Sequence, residues 1–109
     1  MIRCAYCGEP GGEVRVHFSP AKSKPLPLRL DLVQHSPDGF AWGYEGSGPA
    51  QLALAILAFH AGDRIALEYH QDFKRAVIAR WPQNEPLRLG GLVVDGWLAG
   101  VHRVEEAQR

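Results

Sequence analysis

Phe40-Ala41-Trp42-Gly43-Tyr44-Glu45-Gly46-Ser47-Gly48-Pro49-Ala50-Gln51-Leu52-Ala53-Leu54-Ala55-Ile56-Leu57-Ala58-Phe59-His60-Ala61 changes its period half-way along. From Phe40 to Tyr44 large aromatic and small residues alternate, the period of a half-buried strand. From Ala50 to Ala61 only Gln51 and His60 are polar. A helix of that composition is apolar nearly all round and is expected to be buried on most sides. Between the two, Glu45–Pro49 ends the strand and opens the helix, with Pro49 in the first helical turn where its missing N–H costs nothing. A sheet followed by a buried helix places the chain in the α+β class.

The same rules extend outward. Upstream, Val14, Val16 and Phe18 alternate with Arg15 and His17, and Leu28, Leu30 and Leu32 alternate with Arg29 and Asp31. Ser19–Pro27 carries three prolines and reads as a loop. Ser36-Pro37-Asp38-Gly39 has the residues of a turn, because Pro presets φ and Gly tolerates φ > 0. The expectation is a three-stranded antiparallel sheet, Glu13–Phe18, Leu28–Leu32 and Phe40–Tyr44, packed on two central helices. Downstream, Gly62 reads as a helix stop and Asp63 as the N-cap of a second helix, Arg64–Trp81, ended by Pro82. On that helix Ile65, Ala66, Tyr69, Phe73 and Val77 share a broad apolar arc. His70, Lys74 and Arg80 fall inside the arc or at its border, where hydrogen bonding or snorkelling would keep them. Leu87-Arg88-Leu89 reads as a short C-terminal strand. Leu92–Val101 fits either a helix or a strand, and residues 104–109 read as a frayed polar tail.

Composition narrows the class of function. The 109 residues suit one domain, 1–109, with 1–12 as an N-terminal extension. Twelve basic and twelve acidic side chains leave a net charge of +0, which argues against a chain that coats nucleic acid. An apolar content of 46% excludes wholesale disorder. The first residues lack the apolar run of a signal peptide, and the longest apolar stretch, Leu52–Phe59, falls far short of the roughly 20 residues of a membrane span. Two cysteines without an export signal point to a reducing, cytoplasmic setting and are too few for a disulfide framework.

Three further strings are unusual enough to compare as text: Leu26-Pro27-Leu28-Arg29-Leu30-Asp31-Leu32, His35-Ser36-Pro37-Asp38-Gly39-Phe40-Ala41-Trp42-Gly43-Tyr44, and Gly46-Ser47-Gly48-Pro49-Ala50-Gln51-Leu52-Ala53-Leu54. Together with Tyr69-His70-Gln71-Asp72-Phe73-Lys74 they make the segment from Leu26 to Arg80 resemble a small bacterial and phage domain family of unknown function. The resemblance implies no catalytic residue. It implies a small accessory protein of bacteria or their mobile elements. The N-terminal Cys-x-x-Cys-Gly departs from the family's usual pattern.

Several residue groups are candidates for chemistry. Cys4-Ala5-Tyr6-Cys7-Gly8 has the form of one zinc knuckle, and a tetrahedral site would need two more ligands, for which His17 and His35 are the candidates. Two free thiols in an N-terminal turn are the plainer reading, so no cofactor is expected and zinc is the alternative. Gly46-Ser47-Gly48 before a helix would suit an anion, although glycines there also allow a sharp strand-to-helix connection. The helix–Gly–helix run from Leu52 to Trp81 lacks the basic face of a DNA-recognition helix, since Glu68 and Asp72 flank Arg75. No paired-carboxylate or metalloprotease motif appears, and Asp31, His35 and Ser36 supply triad residue types that are common, with roles set by geometry a sequence does not give. The expectation is a non-enzymatic module whose partner is another protein, with Trp42, Tyr44 and Trp97 as contact surface and a role as an accessory or counter-defence factor. The alternative is nucleic-acid binding by sheet aromatics flanked by Arg15, His17 and Arg29. A small-ligand or anion-binding protein is the third reading. The sequence leaves the oligomeric state open.

Overall fold

A computed structural model of the chain describes residues 4–107, with the side chains of 102–107 excepted. Four short strands form one antiparallel sheet: β1 (Ala5–Gly8), β2 (Val14–Ser19), β3 (Lys22–Pro25) and β4 (Leu87–Gly90), in the order β3-β2-β1-β4. Three helices follow the first three strands or close the chain: α1 (Ser47–Ala61), α2 (Asp63–Phe73) and α3 (Gly91–Ala107). The α+β class therefore holds, with four strands where the alternation predicts three.

Pairing rather than alternation decides which runs become strands. Val14–Ser19 has β1 on one side and β3 on the other, so its N–H and C=O groups enter two ladders. The inward row Tyr6, Val16 and Leu89 lies in register across β1, β2 and β4, as do Val14 and Leu87 opposite Gly8. All five large side chains are buried. Leu28–Leu32 and Phe40–Tyr44, the other two expected strands, are not strands. Arg29 takes φ 59°, a left-handed conformation no strand contains, and the Leu32 N–H donates to the Arg29 carbonyl at 3.1 Å. Gly43 at φ 86° bends the second run in the same way. The turn at Pro37-Asp38 does form. β3 instead comes from the proline- and lysine-rich segment read as a loop. Its exposure and its terminal Pro25 suit a sheet edge.

α1 is the central element. Leu52, Ala53, Leu54, Ala55, Ile56 and Leu57 are all fully buried, as an apolar surface all round requires. The helix starts at Ser47, two residues before Pro49, and Gly62 at φ 98° ends it while also capping α2. Asp63 is thus the first residue of α2 rather than its N-cap. α2 continues as a π-helical turn, Lys74–Ile78, in which the Ala79 N–H reaches the Lys74 carbonyl at 2.8 Å. The ambiguous segment from Leu92 is helical throughout, and the expected tail stays helical to Ala107, residues 108–109 lying outside the described range. Among the described residues no helix is long and apolar enough to cross a membrane.

Candidate functional site

The segment from Leu28 to Tyr44 lies over α1 as irregular chain, and one side chain holds it. Gln51 is fully buried on the helix, and its Oε1 accepts from the His35 N–H at 2.8 Å and the Ser36 N–H at 2.9 Å. Its Nε2 donates to the carbonyls of Leu28 at 2.6 Å and Val33 at 3.1 Å. The amide uses both donors and both acceptor sites, so a polar group inside an apolar helix is fully satisfied. Beyond it, the His35 ring meets His70 of α2 with Nε2 to Nε2 at 3.0 Å, while His70 Nδ1 bonds the Ala66 carbonyl at 2.8 Å. A carbonyl only accepts, so His70 Nδ1 carries the hydrogen and its Nε2 accepts from His35 Nε2–H. At the other end Arg29 makes paired hydrogen bonds of 3.0 Å to Asp31 and Asp63. Those carboxylates raise the guanidinium's proton affinity, and Arg29 in turn holds Asp31 below the usual carboxylate range.

The glycines at the start of α1, Gly46 and Gly48, are occupied by packing. A Cβ on Gly46 would stand 2.5 Å from the Tyr44 ring, and one on Gly48 would stand 2.7 Å from the Ala41 side chain. Tyr44 therefore lies across Gly46, Ser47 and Gly48, which were the candidate anion site. Two shallow cavities flank the ring. One of about 290 Å³ includes Ser47, Gly48 and Asp38, whose acidic side chain is unsuited to an anion. The other, about 250 Å³, lies between Trp42, Tyr44 and Gln83. Trp42, expected as contact surface, is instead 3% exposed and donates from Nε1 to the Glu85 carbonyl at 2.9 Å. Trp97 is half-buried edge-on against Phe73, at 5.0 Å between ring centres. Of the three named aromatics only Tyr44, at 42%, presents an exposed ring.

β1 separates the two cysteines. Side chains alternate along a strand, so Cys7 turns outward while Cys4 shares the inward side with Tyr6 and packs against the core. The two thiols thus stand on opposite sides of the sheet. His17 is on the outer face opposite Ala5, and His35 is a hydrogen-bond donor to His70. The structure does not bring Cys4, Cys7, His17 and His35 together. Arg15 and Arg88 stand in register on either side of Cys7, which gives the outer sheet face a basic centre, with Glu13 paired to Arg15 at 3.0 Å. Arg29 is remote from this face, held at α2.

A recess of about 580 Å³ opens where the ends of β1, β2 and β4 meet. Cys4, Ala5, His17, Phe18, Gly90 and Leu92 line it, and its walls are mainly apolar. Phe18 is 44% exposed at its rim, and Leu92 and Val93 on the first turn of α3 are 65% and 53% exposed. Next to Cys4 a polar chain starts at the buried Tyr6 and ends on the partly exposed Asp95. The Tyr6 hydroxyl bonds His60 Nδ1 at 2.9 Å, and His60 Nε2 bonds Asp95 Oδ1 at 2.7 Å. The carboxylate only accepts, so Nε2–H donates to it and Nδ1 accepts the Tyr6 hydroxyl. Burial first, then the bonded Cys4 thiol, pushes the Tyr6 hydroxyl well above the ordinary phenol range. The chain ties the sheet, α1 and α3 together. Sequence reasoning passed over Gln51, His60 and Asp95 as functional positions. For the first two the signal was present: they are the polar exceptions in an apolar helix, and a buried polar side chain must find partners.

No curated protein and no solved structure matches the chain. A family does: residues 6–100 match the family of unknown function DUF6166. The match takes in the sheet, the Gln51-held segment, both central helices and the start of α3, so the chain belongs to that family.

Proposed function

We propose that the protein is a non-enzymatic binding module that works by contact with another protein, in the accessory role the family resemblance implies, and that it uses the first turns of α3 together with the apolar recess beside them. The observation that carries this reading is the exposure of Leu92 and Val93 next to that recess. From Gly91 to Val101 the only charge is Asp95, and Asp95 is turned to His60. The outward side of this stretch therefore offers Leu92, Val93, Gly96 and Ala99 to solvent. A helix apolar on both sides is ordinarily covered, and exposed apolar patches mark contact sites. Two residues with this exposure can be changed without disturbing the core.

The test is cross-linked capture from cells in which the protein is expressed, run in parallel with wild type and Leu92→Asp. A protein enriched by wild type and lost with Leu92→Asp, at unchanged circular dichroism, is the expected result. Identical captured sets from the two would overturn the reading. The nucleic-acid alternative has Arg15, His17 and Arg88 on the outer sheet face, but Trp42 and Tyr44 lie away from that face. A gel shift that weakens steeply with salt and is lost with Arg15→Ala plus Arg88→Ala would favour it.

A further inference from the structure

We propose that the contact between His35 and His70 is an acid-operated latch on the segment from Leu28 to Tyr44, closed by one proton between the facing Nε2 atoms and opened when both rings are charged. The two nitrogens are 3.0 Å apart, which leaves room for a single hydrogen between them. His70 commits its other nitrogen to the Ala66 carbonyl at 2.8 Å, so a second proton can enter the pair only at His35 Nδ1 or at the contact itself. A proton at His35 Nδ1 keeps the contact, because a charged ring is a stronger donor. A further proton on His70 Nε2 removes the acceptor and sets two cations face to face, with ring centres 5.2 Å apart. The contact must then open.

The surroundings favour opening. Lys74, on the π-helical turn, faces the pair from the α2 side and pairs with Glu45, 3.4 Å away just before α1. Burial, His70 and Lys74 together hold the His35 ring below its ordinary value near 6.5. At the far end of the segment the charged groups are Arg29, Asp31 and Asp63, which pair with one another. Between these ends the segment's grip on the helices is Gln51, which bonds the backbone N–H groups of His35 and Ser36. Releasing the ring of His35 therefore pulls directly on the clamp next to it. The two cavities under Phe40 and Tyr44 belong to the same segment, so its release would change their shape.

The experiment follows both imidazoles of the full chain by nitrogen-15 NMR from pH 8 to pH 4, with hydrogen exchange of the His35 and Ser36 amides on the same samples. Two separate macroscopic steps are expected, as for any pair that shares a proton. Amide protection should fall about tenfold, beyond the intrinsic pH effect on exchange, at the second step and not the first. His70→Gln, which offers an acceptor that does not titrate in this range, should abolish the fall. Two rings that titrate together and independently near the ordinary histidine value would overturn the proposal. So would protection that is unchanged through the second step. If His70→Gln does not fold, the wild-type titration and exchange decide the matter alone.

Discussion

β2 and the segment from Leu28 to Tyr44 both help to cover the core, but they give their backbone groups to different partners. β2 bonds to strands on both sides, residue by residue. The segment gives two carbonyls and two N–H groups to the single side chain of Gln51, and the Gly43 N–H to the Ile78 carbonyl at 3.0 Å. A ladder spreads its hydrogen bonds over many residues, so losing one costs little. A clamp concentrates them, and its loss leaves several buried groups unpaired at once. The comparison predicts that the segment fails at single positions where the sheet does not.

The largest effect is expected at Gln51. Gln51→Leu keeps roughly the volume and removes all four hydrogen bonds, so stability should drop by about 3–5 kcal/mol in urea titration. A loss under about 1 kcal/mol would mean that water replaces the amide, and the contrast with β2 would collapse. Gly43 comes next. Its φ is 86°, and an added Cβ would stand 2.4 Å from the Gln83 Cα, a backbone atom that cannot give way easily. Gly43→Ala should cost about 2–3 kcal/mol. Gly39 is the control: φ is also positive but nothing lies within 4 Å, so Gly39→Ala should cost about 1 kcal/mol. Equal losses at the two glycines would show that close approach to Gln83 is not what fixes the bend.

Acid should weaken the segment more than β2. The His35 ring is held below its unfolded value near 6.5, so in mild acid the unfolded chain binds more protons than the folded one. The contribution is fully present above about 6.5 and is lost as the pH falls below it towards the folded value. Denaturant midpoints measured at steps from pH 7.5 to 5 should fall for wild type, and His35→Gln should flatten part of that fall. A wild-type profile as flat as that of His35→Gln would remove the histidine from the account.

The same contrast explains how much could be read beforehand. Val14–Ser19 and Ala50–Ala61 were legible because local pattern and tertiary burial agree there: alternation meets a paired strand, and an all-apolar helix meets the core. Leu28–Leu32 alternates just as well, yet Arg29 and Gln51 redirect it. Neither effect has a local signature, since one depends on Asp63 and the other on a side chain 23 positions from Leu28. β1 was hidden by Cys4 and Cys7, which look like a metal knuckle until pairing with β2 and β4 makes Cys7 a strand residue and leaves Cys4 just before the strand. The recess beside α3 was not legible at all, because it arises where three strand ends meet.

Arg29 should give the smallest effect and the sharpest reading of why this run is not a strand. At φ 59° a non-glycine residue carries a strain of about 1 kcal/mol, and its guanidinium pairs with two exposed carboxylates, contacts that solvent and salt weaken. Arg29→Gly removes strain and pairs together, so the net change should lie within about 0.5 kcal/mol at low salt. Arg29→Ala removes the pairs and keeps the strain, and should be the less stable of the two by about 1 kcal/mol. Salt separates the terms. In about 1 M NaCl the ion pairs are screened but the strain is not, so Arg29→Gly should become more stable than wild type while its lead over Arg29→Ala stays the same. If instead Arg29→Gly and Arg29→Ala were equally stable at low and high salt, the left-handed conformation would carry no strain of its own, and the pairs alone would keep the run out of the sheet.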